Sequence, residues 1–173
     1  APLVSRGARV LVVDGGSTDA TAQLAHPQAH SVVRSPRGRA AQMNAGACAA
    51  AQLGCDTLLF LHADTRLPPD ADQLIEQALA QGADWGRFDV RIEGRHPLLG
   101  MVAAFMNTRS RITGIATGDQ ALFVRRRVFE ALGGFAALPL MEDVELSNRL
   151  RRQSKPACLY QRVITSGRRW DTH

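Results

Sequence analysis

Several residue types are scarce in this chain, and each scarcity excludes something. Aromatic residues make up 5% of its 173 positions, and the arginines are dispersed. That leaves few stacking platforms, so nucleic acid is not expected as a partner. The three cysteines, Cys48, Cys55 and Cys158, lack metal-type spacing, and an odd count argues against a disulfide framework. Cys48 falls in an Ala-rich helical run and reads as a small core residue. No segment approaches the roughly eighteen uninterrupted apolar residues of a membrane span. The first residues do not read as a signal peptide either, which makes a cytoplasmic location the expectation. Lysine is nearly absent, so the net charge of +5, from 21 basic against 16 acidic residues, is carried almost wholly by arginine. Arginine suits bidentate binding of phosphate or carboxylate, which points to a phosphorylated ligand or an acidic surface; an arginine-rich genome would give the same bias.

What is present is ordinary for one globular domain: 45% hydrophobic and 21% charged residues, in a chain long enough to bury a substantial core. Val10–Val13 reads as a short buried strand ending at Asp14. Gly15-Gly16 turns the chain, and Ser17 or Thr18 can cap a helix over 19–25. A strand over 31–33 follows, then the breakers Ser35-Pro36. An Ala-rich helix over 39–53 is closed by Gly54. Thr57 to Leu61 is apolar or β-branched throughout, as suits a strand buried on both faces, and it stops abruptly at His62 and Asp64. Pro68-Pro69 sets up a helix over 70–81. A strand over 85–92 carries Gly86 as a candidate bulge. The apolar spacing of 97–112 predicts an amphipathic helix, read first as core, with a membrane-surface or partner-facing helix as the alternative. A strand over 119–124, helices over 127–132 and 142–152, and one or two strands over 157–164 complete the chain. Alternation of strand and helix predicts an α/β domain with a mostly parallel sheet flanked by helices.

Acidic clusters fall where strands end or helices begin: Asp14 to Asp19, His62-Ala63-Asp64, and Glu142-Asp143. At the carboxyl end of a strand in an open α/β sheet, side chains reach the crevice where ligands bind. Asp14 can accept hydrogen bonds from a nucleobase or ribose, and glycines beside it let backbone approach a ligand. Equally, the segment can be a βα turn whose Asp and Ser are turn formers. No dinucleotide fingerprint or P-loop is present.

In their order, these clusters resemble family 2 glycosyltransferases of the GT-A fold, and more narrowly the bacterial radical-SAM/selenodomain-associated transferase 2 group. The residues that carry the resemblance are Val12 to Asp19, Arg37 to Ala47, Leu61 to Thr65, Gly118 to Ala121, Leu132 to Phe135, Met141 to Glu145 and Ser166 to Trp170. The resemblance implies a metal-dependent, inverting transfer of a sugar from a nucleotide-sugar donor, a UDP-sugar first, to an acceptor hydroxyl. The runner-up is a nucleotide-diphosphate-binding module without transferase activity.

The same resemblance implies roles residue by residue. Asp14, with Gly15, Gly16 and Ser17, would hold the nucleotide. Arg37 and Arg39 at a helix N-terminus would meet the diphosphate, where free N–H groups favour an anion, and Asn44 and Ala63 would line the donor site. Asp64 matches the last Asp of the family's Asp-x-Asp metal motif for Mn²⁺ or Mg²⁺, with His62 standing where its first Asp is expected. Asp143 would be the catalytic base beside Glu142, although acids at a helix start also complement its dipole. Gly118, Asp119 and Gln120 would border the acceptor. Arg168, Arg169 and Trp170 would grip diphosphate or stack on a sugar, and His173 is a remoter metal-ligand candidate. The identity of the acceptor stays open, as do peripheral membrane association and a homo-oligomer. Two expectations bear directly on structure. Asp14, Asp64 and Asp143 should share one cavity. The chain is N-terminally short of the family's first strand, so its sheet should show unpaired edges.

Overall fold

A computed structural model describes residues 2–168. A short helix α1 (Pro2–Ser5) leads into β1 (Leu11–Asp14), α2 (Thr21–Ala25), β2 (Ser31–Arg34), α3 (Arg39–Gln52) and β3 (Thr57–Leu59). Then come α4 (Ala71–Ala80), β4 (Trp85–Glu93), α5 (Leu99–Thr113), β5 (Phe123–Arg125), α6 (Arg126–Ala131), α7 (Glu142–Gln153) and β6 (Ala157–Ser166). α3 and α4 stop where the sequence supplies a residue tolerant of positive φ: Gly54 follows α3 at φ +70° and Gly82 follows α4 at φ +96°.

The strands form two sheets. β1 and β2 pair in parallel, with Asp14 opposite Arg34 at their common end. The other sheet has the order β3-β5-β4-β6, in which β4 and β6 are parallel while β5 runs antiparallel to both its neighbours. The α/β class holds, but the pairing is mixed rather than mostly parallel: β5 follows β4 through α5 and a reversing turn, so it re-enters the sheet head to tail. Among the described residues β1 and β3 each pair along one edge only, so both keep an unpaired edge.

Two cores sandwich the larger sheet. Val128, Phe129, Leu146 and Leu150 from α6 and α7 pack with Ala47 and Ala50 of α3 against Leu58, Trp85 and Val124. On the opposite face, Ile75, Leu79 and Ala103 of α4 and α5 meet Phe88, Val90, Phe123 and Val163. Phe123 and Val124 are neighbours on β5 and enter opposite cores, as the two-residue period of a strand covered on both faces requires. Both are fully buried. Truncating Phe123 to Ala there costs about 3–5 kcal/mol through lost transfer and an unfilled cavity.

Several local expectations are corrected. The strand foreseen over 57–61 is regular only to Leu59; only Leu58 in it is fully buried, and Leu61 is exposed, because one edge of β3 has no neighbour. Residues 118–120 form a 3₁₀ turn rather than the start of a strand. The irregularity in β4 lies between Phe88 and Asp89, where β6 loops out Tyr160 and Gln161, not at Gly86. Gly86 is instead a close-approach position, since a methyl there would strike the Ala157 carbonyl and Phe123. Cys48 faces solvent on the outer side of α3. In α5 only part of the apolar face is core: Leu99 and Ala103 are buried, while Leu98, Met101, Phe105 and Ile112 are exposed.

Candidate functional site

Asp14 is the last residue of β1 and is buried. Ser17 folds back on it, donating its hydroxyl to Oδ1 at 2.5 Å and its N–H to the same oxygen at 3.0 Å. These two bonds, the hydroxyl first, hold the Asp14 carboxyl below its ordinary range. So Ser17 is spent on Asp14, and the start of α2 is served by Asp19 instead, whose carboxylate accepts from the Thr21 N–H at 3.0 Å. Gly16 sits at φ +87°, a conformation that disfavours any side chain. The turn opens onto a cavity of about 450 Å³ lined by Asp14, Gly16, Ser17, Asp19, His26 and Arg34. The Asp14 Oδ2 receives a 3.3 Å contact from the Ser17 N–H, and a carboxylate oxygen can accept more than one bond, which suits it to a ligand. Arg37 is exposed and reaches the Gly16 carbonyl at 3.5 Å; Arg39, also exposed, opens α3.

A second cluster is assembled from three distant stretches. His62 follows β3, Gly118 and Asp119 lie in the 3₁₀ turn before β5, and Asp143 is the second residue of α7. The Gly118 N–H donates to Asp143 Oδ2 at 2.5 Å, and Asp143 Oδ1 accepts from the Val144 N–H at 2.7 Å. His62 Nδ1 lies 3.3 Å from Asp119 Oδ1. A methyl on Gly118 would collide with the His62 ring nitrogen Nε2, so the absence of a side chain lets the imidazole and the loop approach each other. Ser147 ties this loop to α7, donating to the Ala116 carbonyl and accepting from its N–H, each at 3.1 Å. Met43, Phe60, Leu122 and Phe135 close the remaining walls around His62, Gly118 and Asp143. The space left is about 10 Å³, room for roughly one water.

Strain is concentrated here. Ala121 (φ +49°) and Met141 (φ +64°), which flank the 3₁₀ turn and the start of α7, are the non-glycine residues of positive φ among those described. Such conformations cost on the order of 1 kcal/mol or more and persist where surrounding contacts enforce them. Next to Met141, the Glu142 side chain is buried, and its Oε2 has no hydrogen-bond partner among the described residues.

The two spaces just described divide the three acids foreseen to share one cavity. Asp14 lines the larger space and Asp143 the smaller, while Asp64 lines neither, standing exposed on the turn closed by the Thr65 N–H to the His62 carbonyl at 3.0 Å. The first turns of α3 stand between the two: Gln42 donates to the Val13 carbonyl at 3.1 Å, whereas Met43 walls the smaller space. β1 and β3 belong to different sheets, and no described strand joins them. Asn44 is turned away from both spaces, clamping the Phe135 backbone through its carbonyl and amide at 2.9 Å each. Ala63 shares the exposed Asp64 turn, and Gln120 is buried, with its Oε1 accepting from the Thr117 N–H at 3.2 Å. Arg168 is exposed beside Ser166. Arg169, Trp170 and His173 lie outside the described residues.

The residues present fit a metal only in part. Among the described residues no group of three His, Cys, Asp or Glu side chains is placed to hold an ion. His62, foreseen as a ligand, has Nδ1 3.3 Å from Asp119 Oδ1, and its Nε2 lies in the space that a side chain at Gly118 would take. Asp64 does suit a hard cation that retains waters and substrate phosphates, which requires only one or two carboxylates. The reading of the sequence missed Arg34, Met43 and Phe135 as wall residues. Arg34 was legible in principle, since two short parallel strands ending together place it beside Asp14.

Comparison with known proteins gives one family. The model described as Glycosyl transferase family 2 matches residues 6–133, a span that takes in Asp14, Asp64 and Asp119 and ends before Glu142 and Asp143. No curated protein matches the chain.

Proposed function

Since the chain belongs to glycosyl transferase family 2, its strand-end acids can be given parts in group transfer, and we propose that it moves a sugar from a nucleotide-sugar donor to an acceptor hydroxyl with inversion. The donor in this reading is a uridine-diphosphate sugar, and the narrower kinship is with the radical-SAM/selenodomain-associated transferase 2 group. The observation that carries it is the Asp143 carboxylate, half-buried and oriented by two N–H donors at the mouth of the 3₁₀ turn.

Asp143 removes the acceptor hydroxyl proton as that oxygen bonds to the anomeric carbon, while the bond from that carbon to the diphosphate oxygen breaks and the nucleoside diphosphate departs. A base so placed contributes roughly 10²–10⁴-fold. Gly118 and Asp119 border the acceptor, and the His62–Asp119 pair holds that turn in place. Asp14 accepts from the nucleotide, and Arg37 and Arg39 at the start of α3 meet the diphosphate. A bound Mn²⁺ or Mg²⁺, held by Asp64 and the donor's own oxygens, would neutralise charge on the leaving diphosphate.

The test is release of nucleoside diphosphate from a panel of nucleotide sugars, with and without chelator. Wild type should turn over at least one donor; Asp143→Asn should bind the same donor and not turn it over. Turnover retained by Asp143→Asn would remove the base assignment, and donor binding without any turnover would leave a nucleotide-binding module.

A further inference from the structure

The largest feature unused by the transfer reaction is the outer side of α5. Leu98, Met101, Phe105 and Ile112 recur at intervals of three, four and seven, so they lie on one side of the helix. All are exposed, Met101 to 63%, Phe105 to 69% and Ile112 to 80%. Ala104 and Thr108, exposed on the same side, add no charge. From Leu98 to Ile112 the stripe runs about 21 Å at 1.5 Å per residue. Exposed singly such residues need no explanation, but a continuous stripe does.

Its surroundings are mainly basic. From Gly94 to Gly118 the chain contains no Asp or Glu, while Arg95 and Arg111 fall within it; Arg109 also does, but its Nε and Nη2 are buried, so it adds little to the surface. Exposed Arg151 caps the far end of α5, donating to the Thr113 carbonyl at 3.0 Å. Arg111 and Arg87 share the single carboxylate of Asp89, which leaves that cluster net positive. Arg111 also lies 3.7 Å over the ring of Tyr160, which is itself 76% exposed. Glu93, at the near end, is paired to Arg66 at 2.5 Å.

We propose that α5 is a docking face for an anionic lipid surface, with Phe105 and Ile112 entering the boundary between headgroups and acyl chains and the arginines meeting the headgroup phosphates. Two physical points select this occupant. A second copy laid antiparallel on the stripe would set Arg95 of one chain against Arg111 and Arg151 of the other, a like-charge juxtaposition that Asp89, already shared by Arg111 and Arg87, offsets only in part. A protein partner needs about one hydrogen bond per 100–200 Å² of interface, and this side of α5 offers almost none. An apolar helix side with basic flanks and an interfacial Tyr is what binds a bilayer surface without crossing it. No described helix is long and apolar enough to cross one. The face leads directly into the loop that carries Gly118, so docking would set the candidate site beside the bilayer.

The test is co-sedimentation with vesicles of phosphatidylcholine alone and of phosphatidylcholine with phosphatidylglycerol, at low and high salt. Wild type should bind the anionic vesicles and lose much of that binding as salt rises. Phe105→Gln with Ile112→Gln, both at exposed helix positions, should fold with unchanged circular dichroism and bind at least about tenfold more weakly. Equal binding to neutral vesicles, no binding by wild type, or full binding by the double variant would overturn the proposal. A dimer seen by light scattering that the double variant dissolves, without vesicle binding, would assign the face to a second copy instead.

Discussion

The turn after β1 and the junction of His62, Gly118 and Asp143 are built in opposite ways. The first is local: Asp14, Gly16 and Ser17 lie within four residues, satisfy one another, and open onto about 450 Å³ of space. The second draws on β3, a 3₁₀ turn and α7, and leaves about 10 Å³. Residues of positive φ outside glycine flank the second and are absent from the first. A preformed turn suits a ligand held by many weak contacts. A tight, strained junction suits a single bond-changing step that requires one carboxylate in one orientation. On the proposed function, the contrast assigns binding and chemistry to different parts of this chain, and substitutions should separate them.

The largest separation should come from Asp143→Asn. Turnover should fall by roughly 10²–10⁴-fold with nucleotide affinity unchanged, because the amide cannot accept the acceptor's proton. An equal loss of affinity would erase the distinction between the regions. Next, Gly118→Ala should displace the His62 ring or the loop that faces it. We expect kcat to drop on the order of a hundredfold through misplacement of the Asp143 carboxylate. The melting temperature should barely change, since the displaced group is the end of a side chain. A destabilised fold with normal kcat would show the junction to be structural only.

A smaller and opposite split is expected of Asp14→Ala. Losing a hydrogen bond to a charged group should weaken nucleotide binding about tenfold, with kcat at saturation preserved. The smallest effect is on acid stability. The Asp14 carboxyl is held below its ordinary range by Ser17. Its contribution is therefore present above the unfolded-state value, about 3.9, and is lost as pH falls through the lower folded value. Ser17→Ala removes the hydroxyl bond but keeps the N–H bond, so it should bring the two values closer and partly flatten that part of the stability curve, read by denaturant titration across an acidic pH series. An unchanged curve would mean the Ser17 hydroxyl is not bonded to Asp14 in solution.

Legibility in the sequence followed the same division. β1 with its acid, the Ala-rich α3 and its stop at Gly54, and α4 behind Pro68-Pro69 are each set by neighbours in sequence, and each was foreseen within two residues. The antiparallel placement of β5 was not, because strand direction depends on where the chain goes after α5, and no local pattern carries that. Asn44 illustrates the harder case. A polar residue on a helix near a ligand site is indistinguishable in sequence from one that clamps a backbone, and here it clamps Phe135. The outer side of α5 shows the limit of periodicity: the spacing of 98–112 was visible, but which of its two apolar sides meets the core was not. The expectation of one shared cavity depends on the largest scale, where two sheets must join, and no local pattern carries that.

The most direct test of this division is calorimetric titration of the best-bound nucleoside diphosphate into wild type, Asp14→Ala and Asp143→Asn. The account predicts affinity reduced about tenfold in the first variant and preserved in the second. Equal affinity in all three proteins, or a loss confined to Asp143→Asn, would contradict it.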